Sequence, residues 1–179
     1  MHNNVKALLA TTVLFFSSQS MASSGCAFEK GEQEGFIATC SEEKQDVILT
    51  GLVTNEQLNV FDWFSQEYND YKADRATIAQ LQTITEPTEI TVIIGTWCPD
   101  CHRETPRLIR VMEQVNNPNI TVQFIGVDRA KEDPQGLAKH YQFSRIPTII
   151  VEQGHNELGR IIEKPEVSLE QDLMSILKR

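Results

Sequence analysis

The chain has 179 residues, which is enough for one compact domain with its own hydrophobic core. It contains 16 basic and 25 acidic residues, a formal net charge of −9, and the basic residues do not cluster. This balance excludes nucleic acid and anionic membranes as expected partners, because both are bound through basic patches.

The first 22 residues have the composition of a secretory signal peptide. Lys6 supplies a positive start, residues 7–16 are largely apolar, and the small residues Ser20 and Ala22 precede the predicted cleavage point. The apolar run is too short to span a bilayer. We therefore expect a cleaved signal and a periplasmic location rather than a membrane anchor.

Four cysteines in an exported chain predict disulfide chemistry, because compartments outside the cytoplasm are oxidising. Cys98 and Cys101 pair naturally with each other, which leaves Cys26 and Cys40 flanking a segment that could fold as a hairpin. We expect a structural Cys26–Cys40 bridge, and two unpaired thiols are the alternative.

Cys26 also ends a Ser-Ser-Gly-Cys stretch similar to a lipoprotein acylation motif. Serine replaces the usual leucine of that motif, so lipid anchoring is not expected.

Two short strands and two helices are predicted between residues 35 and 83. The strands are expected at residues 35–40 and 46–53. Residues 54–57 form a capping-box signature that opens the first helix, and the second is expected at about 74–83. The first helix carries an apolar face at helical spacing, for which core packing is favoured over a binding surface. Its members are Val60, Phe61, Phe64, Tyr68 and Tyr71.

Strands and helices alternate from residue 90 onward. The near-continuous apolar run at residues 90–94 predicts a strand that is covered on both faces. The following helix places Leu108 and Val115 on one apolar stripe. The later elements are a strand at 120–124, a short helix opened by Asp133-Pro134, strands at 148–151 and 158–162 around Gly154, and a last helix capped by Ser168. The order β-α-β-α-β-β-α predicts an α/β domain.

The most informative motif is the Cys-x-x-Cys pair of Cys98 and Cys101, directly after the strand at 90–94. A thiol at a helix start faces unpaired backbone N–H groups and the positive end of the helix dipole, and both stabilise its thiolate. Cys101 lies seven residues before Leu108 and shares its core-facing stripe, whereas Cys98 lies at the tip. The spacing predicts an exposed attacking thiol at Cys98 and a shielded resolving thiol at Cys101, as thiol–disulfide exchange requires.

The chain from residue 90 to its end resembles a thioredoxin-fold protein. The matching residues are Trp97-Cys98-Pro99-Asp100-Cys101, Pro106, Asp128 and Ile146-Pro147-Thr148. The spacing of Cys101, Glu104 and Pro106 is also similar to the Cys-x-x-Glu-x-Pro of exported bacterial thiol reductases of the TlpA/ResA type.

This resemblance implies a thioredoxin fold with a central mixed sheet flanked by helices. It further implies that Trp97 and Pro99 shape the site and that a cis Pro147 lies beside the sulfurs. The Ile146 backbone would then pair with an extended substrate segment. We divide the chain into a signal peptide at 1–22, an N-terminal hairpin and helical extension at 23–89 that packs on the same domain, and a thioredoxin-like core at 90–179.

The chain departs from thioredoxin at the groups that carry the proton of the buried thiol. Val92 stands where thioredoxin has an aspartate, and Phe124 stands where it has a lysine. Glu104 is the natural substitute because it lies one helical turn after Cys101. We hypothesise that Glu104 takes the proton of Cys101 during resolution. A solvated glutamate that only favours the helix dipole is the alternative.

Asp100 bears on the direction of electron flow. A carboxylate between the cysteines disfavours the adjacent thiolate, which lowers the reduction potential. We therefore predict a reductant, and an isomerase or oxidase of the same fold is the alternative. The effect is lost if Asp100 points to water and is screened.

Cys98, Cys101 and His102 also match the Cys-x-x-Cys-His attachment motif of c-type haem, and they could act as soft metal ligands. The surroundings argue against both, because neither site requires Pro106 or Pro147 and no second Cys/His cluster completes a ligand set. The expected protein is a thiol–disulfide oxidoreductase with no metal and no cofactor beyond the redox-active Cys98–Cys101 disulfide. We expect a monomer that acts on protein thiols and disulfides and receives electrons from a membrane-bound donor.

Overall fold

The computed structural model describes residues 27–30, 36–39 and 47–178. The chain divides into two units, residues 1–44 and 45–179.

The first unit contains an antiparallel pair of strands, β1 (Ala27–Lys30) and β2 (Phe36–Thr39). A hairpin was predicted between Cys26 and Cys40, and these two strands lie within that segment. Both cysteines and the signal segment at 1–22 lie outside the described residues. The bridge, the cleavage and the domain boundaries therefore stay predictions.

The second unit is built on a five-stranded mixed sheet in the order β3-β5-β4-β6-β7. Its strands are β3 (Gly51–Val53), β4 (Thr88–Ile94), β5 (Ile120–Gly126), β6 (Thr148–Gln153) and β7 (Asn156–Ile162). β4 and β5 are parallel, and the other neighbouring pairs are antiparallel. The predicted α/β architecture with a central mixed sheet is thereby confirmed.

Helices flank this sheet. They are α1 (Asn55–Leu58), α2 (Phe64–Asp70), α3 (Arg75–Leu81), α4 (Pro99–Val115), a 3₁₀ helix (Ala138–Tyr141) and α5 (Leu169–Leu177). The predicted caps are present, since the side chains of Thr54 and Ser168 accept hydrogen bonds from the backbone N–H groups of Gln57 and Gln171. No helix among the described residues is long and apolar enough to cross a membrane.

The core is centred on β4 and on the helix that follows it. Val92 and Ile93 of β4, Leu108 of α4 and Ile150 of β6 have no solvent-exposed surface. A strand buried on both faces needs apolar residues at nearly all successive positions, which is why residues 90–94 are apolar apart from Thr91.

The first helix of the second unit is shorter than predicted. α1 ends at Leu58 and α2 begins at Phe64. The backbone N–H of Phe61 donates to the Leu58 carbonyl, a three-residue turn that interrupts the helix. Val60, expected on the core face, is consequently 75% exposed, whereas Phe64 is buried as predicted.

The short helix predicted from Asp133 begins later, as the 3₁₀ helix at Ala138–Tyr141, and a turn precedes it. The Asp133 carboxylate accepts hydrogen bonds from the backbone N–H groups of Gln135, Leu137 and Ala138. These three hydrogen bonds to one carboxylate hold the chain in a tight turn, and the 3₁₀ helix follows this turn.

The buried carboxylate of Glu170 joins three helices. Its side chain is 2% exposed, and its oxygens accept from the Tyr71 hydroxyl at 2.8 Å and from the Asp74 backbone N–H at 2.9 Å. Burial, and then the hydrogen bond to Glu170, raise the pKa of Tyr71 above its ordinary value, so this hydroxyl remains a donor. The contact fixes the end of α2 and the start of α3 on α5.

Replacing Glu170 with alanine should lower the free energy of unfolding by about 3 kcal/mol, because two donors lose their acceptor in a buried place. Urea denaturation of the two proteins measures this difference. Glu170→Gln is the matched control, since its amide oxygen can still accept from Asp74, and it should lose less. Equal losses in both variants would contradict this account of Glu170.

Candidate active site

The cysteine pair lies where β4 leads into α4. Cys98 is the N-cap of α4, with an extended backbone (φ −97°, ψ 120°), and Pro99 occupies the first helical position. Proline suits that position because its φ is already helical and no hydrogen bond is lost there. The predicted strand–loop–helix arrangement therefore places both sulfurs at the helix start.

Both thiols are sheltered, which corrects the prediction of an exposed Cys98. Cys98 is 7% exposed and Cys101 1%, and both are free thiols. The Cys98 sulfur lies 3.5 Å from the carbonyl oxygen of Ile146, to which the thiol donates when it is protonated. The Cys101 sulfur accepts from the Gly95 N–H at 3.4 Å. Cys98 is the more accessible of the two, as expected, but the neighbouring Ile146 shields it from solvent.

The two thiols differ strongly in acidity. A hydrogen bond from the Cys101 thiol is the main cause that lowers the pKa of Cys98 to about 6, helped by the backbone N–H groups of Cys101 and Asp100 and opposed by burial. Burial raises the pKa of Cys101 far above its ordinary value, and the hydrogen bond to Cys98 raises it further. At neutral pH the pair therefore consists of a Cys98 thiolate and a Cys101 thiol.

Asp100 acts on this pair with the predicted sign but weakly. Its charge raises the pKa of Cys98 and of Cys101, and in both cases by less than the hydrogen bonds change it. The Asp100 side chain is 44% exposed and forms an ion pair with Arg103 at 2.9 Å. Water and this partner screen the carboxylate. The Cys98 thiolate is thus stabilised on balance, against the expectation based on Asp100 alone.

The loop before β6 closes the site on the other side. The Ile146–Pro147 peptide bond is cis, as predicted, and both residues are buried. The Thr148 hydroxyl donates to the Arg145 carbonyl at 2.6 Å. The loop thereby presents the Ile146 carbonyl to the Cys98 sulfur.

Trp97 is fixed against the end of the sheet. Its indole N–H donates to the Val127 carbonyl at 3.1 Å, and the Arg129 guanidinium lies 5.3 Å from the ring centre. A Cβ atom on Gly95 would lie 2.8 Å from this indole and 2.9 Å from the Ile146 side chain. Only glycine at position 95 allows Trp97 and Ile146 to approach the loop this closely.

Glu104 is buried among arginines. It is 3% exposed, which excludes the solvated alternative. One carboxylate oxygen accepts from Arg103 at 2.7 Å and lies 3.6 Å from Arg107, while the other oxygen is buried without a hydrogen-bond partner. The groups acting most strongly on the Cys101 thiol are Cys98, Gly95 and Asp100 rather than Glu104. The role of Glu104 as a proton acceptor stays a prediction.

The imidazole of His102 is held at one of its two nitrogens. Its Nε2 lies 2.7 Å from the Thr96 carbonyl oxygen, and its ring stacks on Trp63. A nitrogen that donates to a carbonyl has no lone pair for a metal, so only Nδ1 keeps one. In the part of the chain that the structure describes, no group of three or more His, Cys, Asp and Glu residues is placed to hold a metal ion.

Trp63 and Thr96 were not predicted to belong to the site. The aromatic spacing of the first helix indicated core packing, and Thr96 carried no motif of its own. Trp63 is distant from the cysteines in sequence and contacts His102 only in the folded chain, so no local pattern could have found it.

A family model described as Thioredoxin matches residues 38–175. Among solved structures, a protein of unknown function from Pseudomonas aeruginosa is 23% identical, with a TM-score of 0.46 over 70% of this chain and 75% of that one. An HIV epitope-scaffold is 25% identical, with a TM-score of 0.45 over 70% of this chain and 77% of that one. No curated protein matches the chain significantly.

Proposed function

The chain belongs to the thioredoxin family, and on that basis we propose that it is a thiol–disulfide oxidoreductase acting on protein substrates. The observation that carries the proposal is the pair of thiols with opposite acidity at the start of α4. The pKa of Cys98 is lowered to about 6, while that of Cys101 is raised. An enzyme of this kind needs one thiol that attacks and a second that stays protonated until its turn.

The exchange has two steps. The Cys98 thiolate attacks one sulfur of a substrate disulfide, the substrate S–S bond breaks, and the departing thiolate takes a proton. Cys101 then loses its proton and attacks the Cys98 sulfur of the mixed disulfide. The second substrate thiol leaves, two electrons have passed to the substrate, and the Cys98–Cys101 disulfide remains.

The Ile146 carbonyl supports the geometry of the first step. Its oxygen lies 3.5 Å from the Cys98 sulfur, so this backbone lies beside the attacking atom. A substrate segment that pairs with this backbone in an extended conformation would bring its disulfide to Cys98. Trp97, Pro99 and Pro147 would then form the walls around the reacting sulfurs.

We propose the reducing direction, and the acidity of Cys98 supports it. Thioredoxin, a reductant, has a cysteine pKa near 7 and a potential of about −270 mV, and the oxidant DsbA has about 3.5 and about −120 mV. A Cys98 pKa of about 6 lies nearer the reductant. A potential measured against glutathione should therefore lie between about −270 and about −200 mV. A value above about −150 mV would indicate an oxidase.

Insulin reduction driven by dithiothreitol tests the proposed activity directly. The protein should accelerate the precipitation of the insulin B chain, and an unchanged rate would contradict the proposal. In the cell, a reductant in an oxidising compartment must be reduced again, which is why we propose a membrane-bound electron donor. The predicted export signal lies outside the described residues, and the periplasmic location is part of the proposal.

We further propose that the unpartnered oxygen of Glu104 accepts the Cys101 proton in the second step. Glu104→Gln should slow the resolution of the mixed disulfide about tenfold or more near neutral pH, because a positioned base is lost. Stopped-flow measurement of resolution between pH 5 and pH 9 tests this. Glu86→Gln, a change at an exposed loop position, is the control. A pH profile equal to that of the unmodified protein would rule out the proton transfer.

A further inference from the structure

The imidazole of His102 lies in the first turn of α4 and takes no part in the exchange steps. Its ring lies flat against the indole of Trp63, with centroids 4.4 Å apart and planes 9° apart. Its Nε2 is 2.7 Å from the carbonyl oxygen of Thr96. Because a carbonyl oxygen only accepts hydrogen bonds, this nitrogen carries the hydrogen. The ring is therefore held on one face and at one edge.

Thr96 is itself firmly placed. It is 4% exposed, and its hydroxyl donates to the Val47 carbonyl at 2.7 Å and accepts from the Leu49 N–H at 3.2 Å. Both bonds are made to residues 47–50. This segment was predicted as strand, but it precedes β3, which begins at Gly51. His102 thus bonds to a carbonyl in a loop that is fixed from a second side.

Trp63 is supported in a similar way. Its ring stacks on Phe61 at 5.2 Å and lies 6.2 Å from the ring of Phe64, which is buried. These aromatic residues lie at and just after the turn that separates α1 from α2. The interruption of the predicted helix therefore coincides with the placement of an indole on His102.

Thr96 precedes the two cysteines in the chain, and His102 follows them. The backbone N–H of His102 donates to the Cys98 carbonyl at 3.0 Å. The backbone N–H groups of Asp100 and Cys101, which stabilise the Cys98 thiolate, lie between Thr96 and His102 in the chain. Hydrogen bonds weaken steeply with distance and misalignment. Any loosening of this turn would therefore reduce the stabilisation of the thiolate.

We propose that the contact of Thr96, His102 and Trp63 is a clamp that positions the first turn of α4 and thereby keeps Cys98 reactive. His102 and Trp63 are positioning residues, because they act on Cys98 through the backbone of that turn. The inference rests on the proposed function only in taking Cys98 as the attacking thiol.

The test is the pH dependence of Cys98 alkylation by iodoacetamide in the reduced full chain, followed by mass spectrometry of the peptide that carries Cys98. His102→Phe keeps a ring against Trp63 but removes the hydrogen bond to Thr96, and Trp63→Leu removes the stack. Each should raise the midpoint of alkylation by on the order of one pH unit, which is a tenfold loss of thiolate below the midpoint. Trp63→Phe keeps an aromatic face, and His102→Gln keeps an N–H donor. Each should therefore raise the midpoint less than the other substitution at the same position.

His140→Phe is the matched control, because His140 is exposed on the 3₁₀ helix, and its midpoint should equal that of the unmodified protein. Unchanged midpoints in both His102→Phe and Trp63→Leu would overturn the clamp. If one of these two variants fails to fold, the other decides, since an unchanged midpoint in the variant that folds would also overturn the clamp. Alkylation needs no substrate disulfide, so a failed insulin assay would contradict the proposed function and leave this result standing.

Discussion

A Cys98→Ser variant should lose the reduction of insulin almost completely, on the order of 10³-fold or more, because the attacking thiolate is gone. The hydroxyl of serine is too weak an acid to supply an anion at this site. The variant keeps nearly the same volume at a position that is 7% exposed, so its fold should survive. Its unfolding midpoint, measured beside the activity, separates lost chemistry from lost structure.

Cys101→Ala should fail at a different step. Cys98 can still form a mixed disulfide, but the resolving thiol is missing, and the intermediate should accumulate. Incubation with a protein mixture and electrophoresis without reductant would reveal the trapped substrates. Full insulin turnover by Cys98→Ser, or the absence of trapped mixed disulfides with Cys101→Ala, would contradict the assignment of the two roles.

The reduced protein should react with iodoacetamide at Cys98 with a midpoint near pH 6, about three units below the ordinary thiol value of 9.0. At pH 7 about nine-tenths of Cys98 would be thiolate, against about one-hundredth of an ordinary cysteine. This thiolate should also change the pH dependence of the reduction potential. The slope should be about 59 mV per pH unit below pH 6 and about 30 mV above it, because one fewer proton is taken up on reduction.

The free energy of unfolding of the reduced protein should depend on pH because of the low pKa of Cys98. The pKa of Cys98 is lower in the folded protein than in the unfolded chain, so its thiolate stabilises the folded reduced form above pH 9. That contribution is lost as the pH falls from about 9 to about 6. Its size is at most about 4 kcal/mol, since one pKa unit corresponds to about 1.4 kcal/mol. Urea denaturation of the reduced protein across this range measures it.

Two variants of the second cysteine locate the cause of this acidity. The hydrogen bond from Cys101 is the largest influence on Cys98. Cys101→Ala should therefore raise the alkylation midpoint markedly, whereas Cys101→Ser retains a hydroxyl donor and should raise it less. Midpoints in both variants equal to that of the unmodified protein would show that the backbone N–H groups, and not the partner thiol, stabilise the thiolate.

Glu104 shows the limit of arguments from helical spacing. The i+3 position after Cys101 places the side chain on a neighbouring face of the helix, and this part of the prediction needed no structure. The spacing did not indicate that Arg103 and Arg107 contact one carboxylate oxygen and that the other is buried without a partner. Side-chain direction within a turn depends on what packs against it.

The sequence alone determined the order of strands and helices from residue 90 onward, the caps at Thr54 and Ser168, and the place of the cysteine pair at the start of a helix. These features depend on periodicity, caps and backbone preferences that act within a few residues. Family resemblance supplied the cis Ile146–Pro147 bond.

Only the tertiary structure decided the burial of Cys98 beside Ile146, the exposure of Val60, and the placement of Trp63 on His102. Each of these depends on side chains that meet across the fold. Propensity and spacing carry no information about which distant partner reaches a given position, because packing of the whole core selects that partner. The reactivity of Cys98 combines both levels: the helix start is local, and the surroundings that hold its first turn are tertiary.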